Sequence, residues 1–158
     1  MANIGFISLG CAKNQVDCER MMYRVQEAGH TVCANVVDTD VVVINTCGFI
    51  DSAKSEAIDH ILQCAALKGE GYIGKILVTG CLSQRYQEQI PQEMPEVDGV
   101  FVQGESEVAS VNMLYGAVQT GTRSMSSSSS TGISLYSEGI SYCASARLPI
   151  VYVNVGRG

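Results

Sequence analysis

The clearest pattern in the chain is a series of short apolar runs, each separated from the next by a stretch with helical spacing. The apolar runs predict β-strands at residues 3–9, 31–37, 40–46, 75–79 and 97–102. Apolar positions three and four residues apart predict helices at about residues 14–28, 50–65, 83–89 and 106–118. We expect Asn14 to cap the first helix and Gly29 to end it.

This alternation predicts an α/β fold with a doubly wound, mostly parallel, five-stranded sheet of the flavodoxin or Rossmann type. Near-continuous apolar strands are buried on both faces, and right-handed crossovers place helices on both sides of the sheet. We expect the strand order 2-1-3-4-5, within a domain that covers residues 1–118.

The composition changes after residue 118. Residues 121–131 read GTRSMSSSSST, a serine-rich run that is typical of flexible linkers. We therefore expect residues 119–146 to be a disordered linker in a flexible C-terminal tail. Within the remainder, only residues 148–155 have the apolar character of a strand.

Charge and hydropathy exclude several classes of protein. The 158 residues include 10 Lys and Arg against 16 Asp and Glu, which gives a net charge of −6. An acidic chain without a basic cluster is unsuited to binding nucleic acid directly. No apolar run reaches the roughly 18 residues that span a bilayer, and the N-terminus lacks a basic signal region. We expect a cytoplasmic protein that does not contact a membrane.

Seven cysteines are the outstanding feature of the composition. Three of them share one context, in which an apolar strand is followed by a Cys beside a Gly and then by a helix: Gly10-Cys11, Cys47-Gly48 and Gly80-Cys81. In the predicted order the three strands are neighbours, so their carboxyl ends lie at one edge of the sheet, where ligands of open α/β folds bind. The sequence therefore predicts that these three thiols converge.

Three converging thiols suit an iron–sulfur cluster that keeps one iron without a protein ligand. Helix N-termini favour the thiolate, which is the form that binds metal, and the glycines let the backbone approach a bulky inorganic group. Zinc with an unidentified fourth ligand is a second possibility. A third is that the cysteines are small buried core residues.

The other cysteines and the two histidines are interpreted as structural. Cys33 and Cys64 lie in apolar stretches and are expected in the core, and Cys18 on the first helix is expected to pack. Cys143 has no evident partner, and a solvated position is expected for His30 and His60.

Around the three cysteines the sequence resembles a known family. Residues 8–17 (SLGCAKNQVD), 45–50 (NTCGFI) and 79–86 (TGCLSQRY) resemble the N-terminal domain of the radical-SAM methylthiotransferases. The first motif resembles the RimO-type branch, which modifies an aspartate of a small-subunit ribosomal protein, more than the tRNA-modifying MiaB-type branch. The resemblance covers about residues 3–105, and Cys18 stands where the family usually has serine.

The resemblance implies the cofactors and partners of this chain. Cys11, Cys47 and Cys81 would hold an auxiliary 4Fe-4S cluster, and no catalytic residue is implied here. S-adenosylmethionine and a second 4Fe-4S cluster would belong to a following radical-SAM domain, which would be a partner of this one. The substrate would be the small-subunit ribosomal protein.

One part of the family pattern is absent. No CxxxCxxC motif occurs, so we expect this chain alone to be inactive. Residues 152–158 resemble the stretch that precedes that motif, which suggests that residues 147–158 begin a truncated radical-SAM domain. Two alternatives stay open: a domain of the tRNA adenosine-modifying branch, and a flavodoxin-like binding or redox module without a cluster.

Overall fold

The structure is a computed structural model that describes residues 1–48 and 50–155, except for the side chain of Ser130. It contains two compact units: a first unit, Met1–Val102, and a second unit that begins at Gln103. Phe49 of the second family motif and residues 156–158 of the predicted radical-SAM segment lie outside the described residues.

The first unit is an α/β fold with a five-stranded, all-parallel sheet. Its elements are β1 (Asn3–Ser8), α1 (Ala12–Glu27), β2 (Thr31–Cys33), β3 (Thr39–Thr46), α2 (Asp51–Gly69), β4 (Ile73–Gly80), α3 (Cys81–Arg85), α4 (Gln89–Glu93) and β5 (Gly99–Val100). The strand order is β2-β1-β3-β4-β5, which confirms the predicted fold class and order.

Strands β3 and β4 form the centre of the apolar core. Val42 and Ile44 of β3, and Ile76 and Val78 of β4, are completely buried. Helix α2 covers them with a buried stripe that consists of Ala53, Ala57, Ile61 and Cys64. The stripe repeats every three or four residues, so it lies on one side of the helix.

Some boundaries differ from the prediction. Strand β2 has only three residues because the chain turns at once toward β3: Asn35 Oδ1 accepts a hydrogen bond from Val37 N, and Thr39 Oγ1 donates one to Val36 O. Helix α1 begins at Ala12 with Cys11 as its N-cap, so the expectation that Asn14 caps it is wrong. Gly29 has φ +83°, as expected of a helix stop.

The second unit has two parallel strands and three helices. Its elements are α5 (Glu107–Gln119), β6 (Ser124–Ser129), α6 (Ser130–Ser134), α7 (Ser137–Ser145) and β7 (Ile150–Val155), with β6 paired to β7. The serine-rich stretch is thus a strand here, where the sequence predicts a linker. Alternate side chains of β6 are half-buried, and two of them have partners: Ser126 Oγ lies 2.8 Å from Tyr136 Oη, and Ser128 Oγ donates to Glu107 Oε1.

Three further details differ from the expectations. Helix α5, which the sequence assigns to the first domain, belongs to the second unit. Cys143 is buried and accepts a hydrogen bond from Tyr152 Oη, and His30 Nδ1 accepts one from Ala2 N, so neither lacks a partner. Among the described helices, none has the length and apolar character that crossing a membrane requires.

Candidate metal centre

Cys11, Cys47 and Cys81 follow the carboxyl ends of three adjacent strands. Cys47 comes directly after β3 and Cys81 directly after β4, whereas Cys11 lies three residues beyond β1. The strand register pairs Ser8 with Asn45 and Thr46 with Gly80, so the three chain segments leave the sheet side by side. The side chains of Cys11 and Cys81 are exposed, and Cys47 is 8% exposed.

Two glycines allow these segments to touch. A Cβ added at Gly10 would overlap Cys47 Cβ and lie 2.8 Å from Cys47 Sγ. A Cβ added at Gly48 would lie 3.0 Å from Leu82 Cα and 3.3 Å from the carbonyl carbon of Cys81. The Cys47-Gly48 segment therefore contacts the Cys11 turn on one side and the Cys81 turn on the other.

Buried polar side chains join the same segments. Asn14 Nδ2 donates to Leu9 O and to Thr46 O, both at 3.0 Å, and Asn45 Nδ2 donates to Asn14 O at 2.8 Å. Thr46 Oγ1 donates to Thr79 O at 2.6 Å. These side chains bond to backbone carbonyl groups at the last residues of β3 and β4, just after β1 and in the first turn of α1, so they tie the three segments together.

The start of α1 favours the thiolate of Cys11. Backbone N–H groups of Asn14 and Lys13 face the sulfur and hold the pKa of Cys11 below its usual value, and the charge of Lys13 adds to this effect. These contacts are too loose to form a helix-capping hydrogen bond. An exposed thiol with a lowered pKa is suited to ligating metal.

Two basic side chains come from the elements that follow the Cys47 and Cys81 turns, Lys54 from α2 and Arg85 from α3. Lys54 donates to Asp51 Oδ1 at 2.7 Å, lowering the pKa of Asp51, and its Nζ lies 5.9 Å from the ring centre of Tyr86. Arg85 Nη1 lies 3.5 Å from Gly48 O. Positive charge at this edge opposes the negative charge that thiolates bring to a metal group.

The three cysteine turns can be compared with what a single zinc ion and a 4Fe-4S cluster each require of their ligands. Within residues 1–48 and 50–155, no three His, Cys, Asp or Glu side chains lie close enough to hold a single metal ion. This counts against a mononuclear zinc site. A 4Fe-4S cluster binds its cysteines through separate irons, so its ligands lie farther apart. The exposed thiols of Cys11 and Cys81 and the buried thiol of Cys47, on glycine-lined turns that meet at the Cys47-Gly48 segment, fit that group.

The remaining cysteines lie away from this edge or inside the core. Cys18 and Cys64 are buried, and burial raises the pKa of both thiols. Cys33 is half-buried on β2. Cys64 is thus a core residue as predicted, and Cys18 packs as predicted, with its thiol near the Ser8 side chain.

Sequence reasoning missed Asn14 and Asn45 as parts of the site. Both stand inside the family motifs, but the pattern of apolar residues indicates only a helix start and a strand end there. The one local signal was a pair of amide side chains, each within three residues of a candidate ligand.

Comparison with known proteins gives two family-model matches, of which the first covers more than half of the chain. The model of "Uncharacterized protein family UPF0004" matches residues 3–102, nearly the whole first unit. A second model, "Pyruvate flavodoxin/ferredoxin oxidoreductase, thiamine diP-bdg", matches residues 83–158. The two matches overlap at residues 83–102.

Similar proteins include enzymes named ribosomal protein uS12 methylthiotransferase RimO. The one from Syntrophomonas wolfei is 47% identical over 121 residues, which is 77% of this chain and 27% of the relative. Those from Natranaerobius thermophilus and Caldicellulosiruptor saccharolyticus are 50% and 52% identical, over 62% and 64% of this chain and 22% and 23% of theirs. The chain thus spans about a quarter of the length of these relatives.

Proposed function

Because the chain belongs to the UPF0004 family, we propose that its first unit binds an auxiliary 4Fe-4S cluster through Cys11, Cys47 and Cys81. The observation that carries the proposal is the contact between the three cysteine turns, in which Gly10 meets Cys47 and Gly48 meets Cys81-Leu82. Three protein ligands leave the fourth iron free, and when bound the cluster supplies an open site for sulfur.

The chain's own residues prepare this edge for the cluster. The backbone at the start of α1 favours the thiolate of Cys11, and Arg85 places positive charge beside the Cys47 turn. The glycines exclude side chains from the space between the turns. Each feature favours an anionic inorganic group over solvent.

As part of a whole enzyme, this unit would serve the methylthiolation of an aspartate in ribosomal protein uS12. The names of the similar proteins support this substrate. A radical-SAM domain, with S-adenosylmethionine and a second cluster, would generate the substrate radical. We expect the chain without that domain to be inactive.

The cluster is tested by anaerobic reconstitution of the chain with iron and sulfide. We expect about four irons per chain, with visible absorption typical of such clusters. Cys47→Ala should lose most of the iron, whereas Cys33→Ala, the same change at a half-buried cysteine on β2, should load like the parent. Equal loading of the Cys47 and Cys33 variants would overturn the proposal.

The substrate is tested by exchange of domains. Residues 1–102 replace the matching domain of the full-length Syntrophomonas relative, and the hybrid is assayed with uS12 and with tRNA. Methylthiolation of uS12 alone supports the proposed branch. Modification of tRNA would instead assign the unit to the tRNA-modifying branch.

A second function is proposed for the other unit. The thiamine-diphosphate family model includes every described element of the second unit, from α5 to β7. We propose that this unit contributes to a binding site for thiamine diphosphate, which is a cofactor that stabilises carbanions. Calorimetric titration with thiamine diphosphate and Mg²⁺, against thiamine with Mg²⁺ as control, tests this. Absence of diphosphate-dependent binding would reject it for this chain.

A further inference from the structure

Two buried asparagines lie between the cysteine turns of the first unit. Asn14 is 4% exposed and Asn45 is 2% exposed. They come from different elements, Asn14 from α1 and Asn45 from the end of β3, and are joined by the hydrogen bond from Asn45 Nδ2 to Asn14 O. We call this pair the asparagine clamp.

Both amide hydrogens of Asn14 are used to join two turns. One goes to Leu9 O, two residues before Cys11, and the other to Thr46 O, directly before Cys47. Since both partners are carbonyl oxygens, the atom that faces them must be the NH₂ nitrogen. A carboxylate of the same size at this position could make neither bond.

Asn45 connects the clamp to the third turn. Its side-chain oxygen lies beside Gly80, where an added Cβ would be 2.7 Å away, and its backbone oxygen accepts a hydrogen bond from Leu9 N at 2.9 Å. Asn45 therefore contacts the chain just before both Cys11 and Cys81. In addition, a neutral amide does not compete with the thiols for metal as a carboxylate or an imidazole would.

We propose that Asn14 and Asn45 are positioning residues that hold the Cys11 and Cys47 turns together before metal arrives, so that the three thiols are preset for a cluster. The proposal rests on the proposed cluster-binding function. It adds that the site is organised in the metal-free chain by side chains that bind no metal themselves.

The metal-free chain offers a direct test, which is alkylation of its thiols followed by mass spectrometry. Cys47 is protected in the parent, whereas Cys11 and Cys81 are exposed already. In Asn14→Asp we expect Cys47 to react at least about tenfold faster, which corresponds to about 1.4 kcal/mol of local opening. Asn45→Asp removes one donor instead of two and should give a smaller increase.

Cys64 and Asn112 provide the controls. Cys64 is buried on the core-facing side of α2, so its reactivity reports unfolding of the whole first unit. It should change by less than about twofold. Asn112→Asp makes the same substitution where an exposed amide donates to Val108 O in the second unit, and it should leave Cys47 protected.

Loading with iron and sulfide provides the second readout. We expect Asn14→Asp to incorporate iron more slowly and to a lower final content than the parent, with an altered visible and electron paramagnetic resonance spectrum. If Asn14→Asp and the parent have equal Cys47 reactivity, or if Cys64 becomes reactive to the same extent as Cys47, the clamp is overturned.

The two proposals fail in different ways. If the parent takes up no cluster, the cluster-binding function fails, and the alkylation of Cys47 alone then decides the clamp. If the parent loads normally and Asn14→Asp loads identically, the clamp fails and the function stands.

Discussion

The two units of this protein use parallel strands in different ways. In the first unit, β3 and β4 are central strands with completely buried side chains, and α2 covers them. Among its described residues the second unit has one pair of strands, β6 and β7, and Val151, Val153 and Val155 of β7 are exposed. Parallel sheets are normally covered on both faces, so the second unit gains less from burial.

The units also differ in where they keep buried polar groups. Of the five buried polar residues in the part of the chain that the structure describes, four are in or beside the cysteine turns: Asn14, Asn45, Thr46 and Ser83. In the second unit the polar partners are hydroxyl groups along a strand, such as Ser126 with Tyr136. Buried polar groups that gather at one edge of a sheet are typical of a ligand-binding site. The serine hydroxyl groups of β6 instead occupy the strand face where apolar side chains would normally pack, and they form hydrogen bonds there.

Similarity to known protein families differs between the two units. The UPF0004 match ends at residue 102, where the first unit ends, and the thiamine-diphosphate model covers the second unit. The methylthiotransferase proposal rests on the cysteine turns of the first unit, although the similarity to the Syntrophomonas relative spans 121 residues and so extends beyond residue 102. Its test and the tests of the second unit are independent.

The largest expected difference between the units concerns two glycines that both have a positive φ. Gly80 has φ +97° and a Cβ there would overlap Thr46 O, whereas Gly121 has φ +85° with open space around it. Gly80→Ala should lower the free energy of unfolding of the first unit by about 4 kcal/mol, from backbone strain plus overlap. Gly121→Ala should cost the second unit about 1 kcal/mol, from strain alone.

Each unit contains a buried cysteine that can report its unfolding, Cys64 in the first and Cys143 in the second. Their alkylation across a urea series gives the two free energies separately. Gly71→Ala is a control within the first unit, with φ +87° and nothing near the added Cβ. Equal losses in the Gly80 and Gly71 variants would show that the close approach to Thr46 has no energetic role.

The sequence predicts those features of a unit that depend on residues close together in the chain, and it misses those that depend on contacts between distant residues. The strand order and the positions of the three cysteines follow from local patterns, because each apolar run ends just before its Cys-Gly pair. The role of Asn14 does not, since its contact with Thr46 joins residues 32 positions apart. That the cysteines bind a cluster stays a prediction.

The composition of the serine-rich strand β6 does not predict that it is a strand. Serine has weak strand preference, and runs of it are typical of linkers. The strand at residues 124–129 depends on its pairing with β7 and on the hydroxyl partners Tyr136 and Glu107, which local patterns do not reveal. Helix α5 was predicted from its own spacing, whereas the core on which it packs was not predicted; the structure adds that Ser106 Oγ caps the helix by accepting a hydrogen bond from Ala109 N.

A smaller effect should separate the units at acid pH. Burial opposes ionisation of Asp98, but hydrogen bonds from Lys68 Nζ at 2.6 Å and Ile76 N at 2.8 Å outweigh it, and the pKa of Asp98 is lowered. A lowered pKa stabilises the folded unit above the unfolded value of 3.8, and this contribution is lost as pH falls through the folded pKa.

Asp98→Asn should therefore cost the first unit about 1 kcal/mol at pH 7 and nothing at a pH below the folded pKa. Pulse proteolysis, with a protease active at each pH and fragments assigned to each unit, measures this. Asp59→Asn, at an exposed position on α2, is the matched control. A difference between parent and Asp98→Asn that persists at low pH would contradict the assignment.

The smallest expected effect lies in the second unit and has the opposite pH dependence. Tyr152 Oη donates to Cys143 Sγ at 3.3 Å, and burial together with this contact raises the pKa of Tyr152 above its usual value. The folded unit thus holds the phenol proton more tightly than the unfolded chain does. The resulting stability is present below about pH 10 and is lost as pH rises through the folded pKa.

Tyr152→Phe should remove this alkaline loss and change stability at pH 7 by no more than about 1 kcal/mol, because only one hydrogen bond is lost. The same proteolysis measured from pH 7 to 11 gives the profile of the second unit, with exposed Tyr23→Phe in the first unit as control. An alkaline loss that is equal in parent and Tyr152→Phe would assign it to other groups. The pH dependence of unfolding measured with the Asp98 and Tyr152 variants would then no longer distinguish an acid-sensitive first unit from an alkali-sensitive second unit.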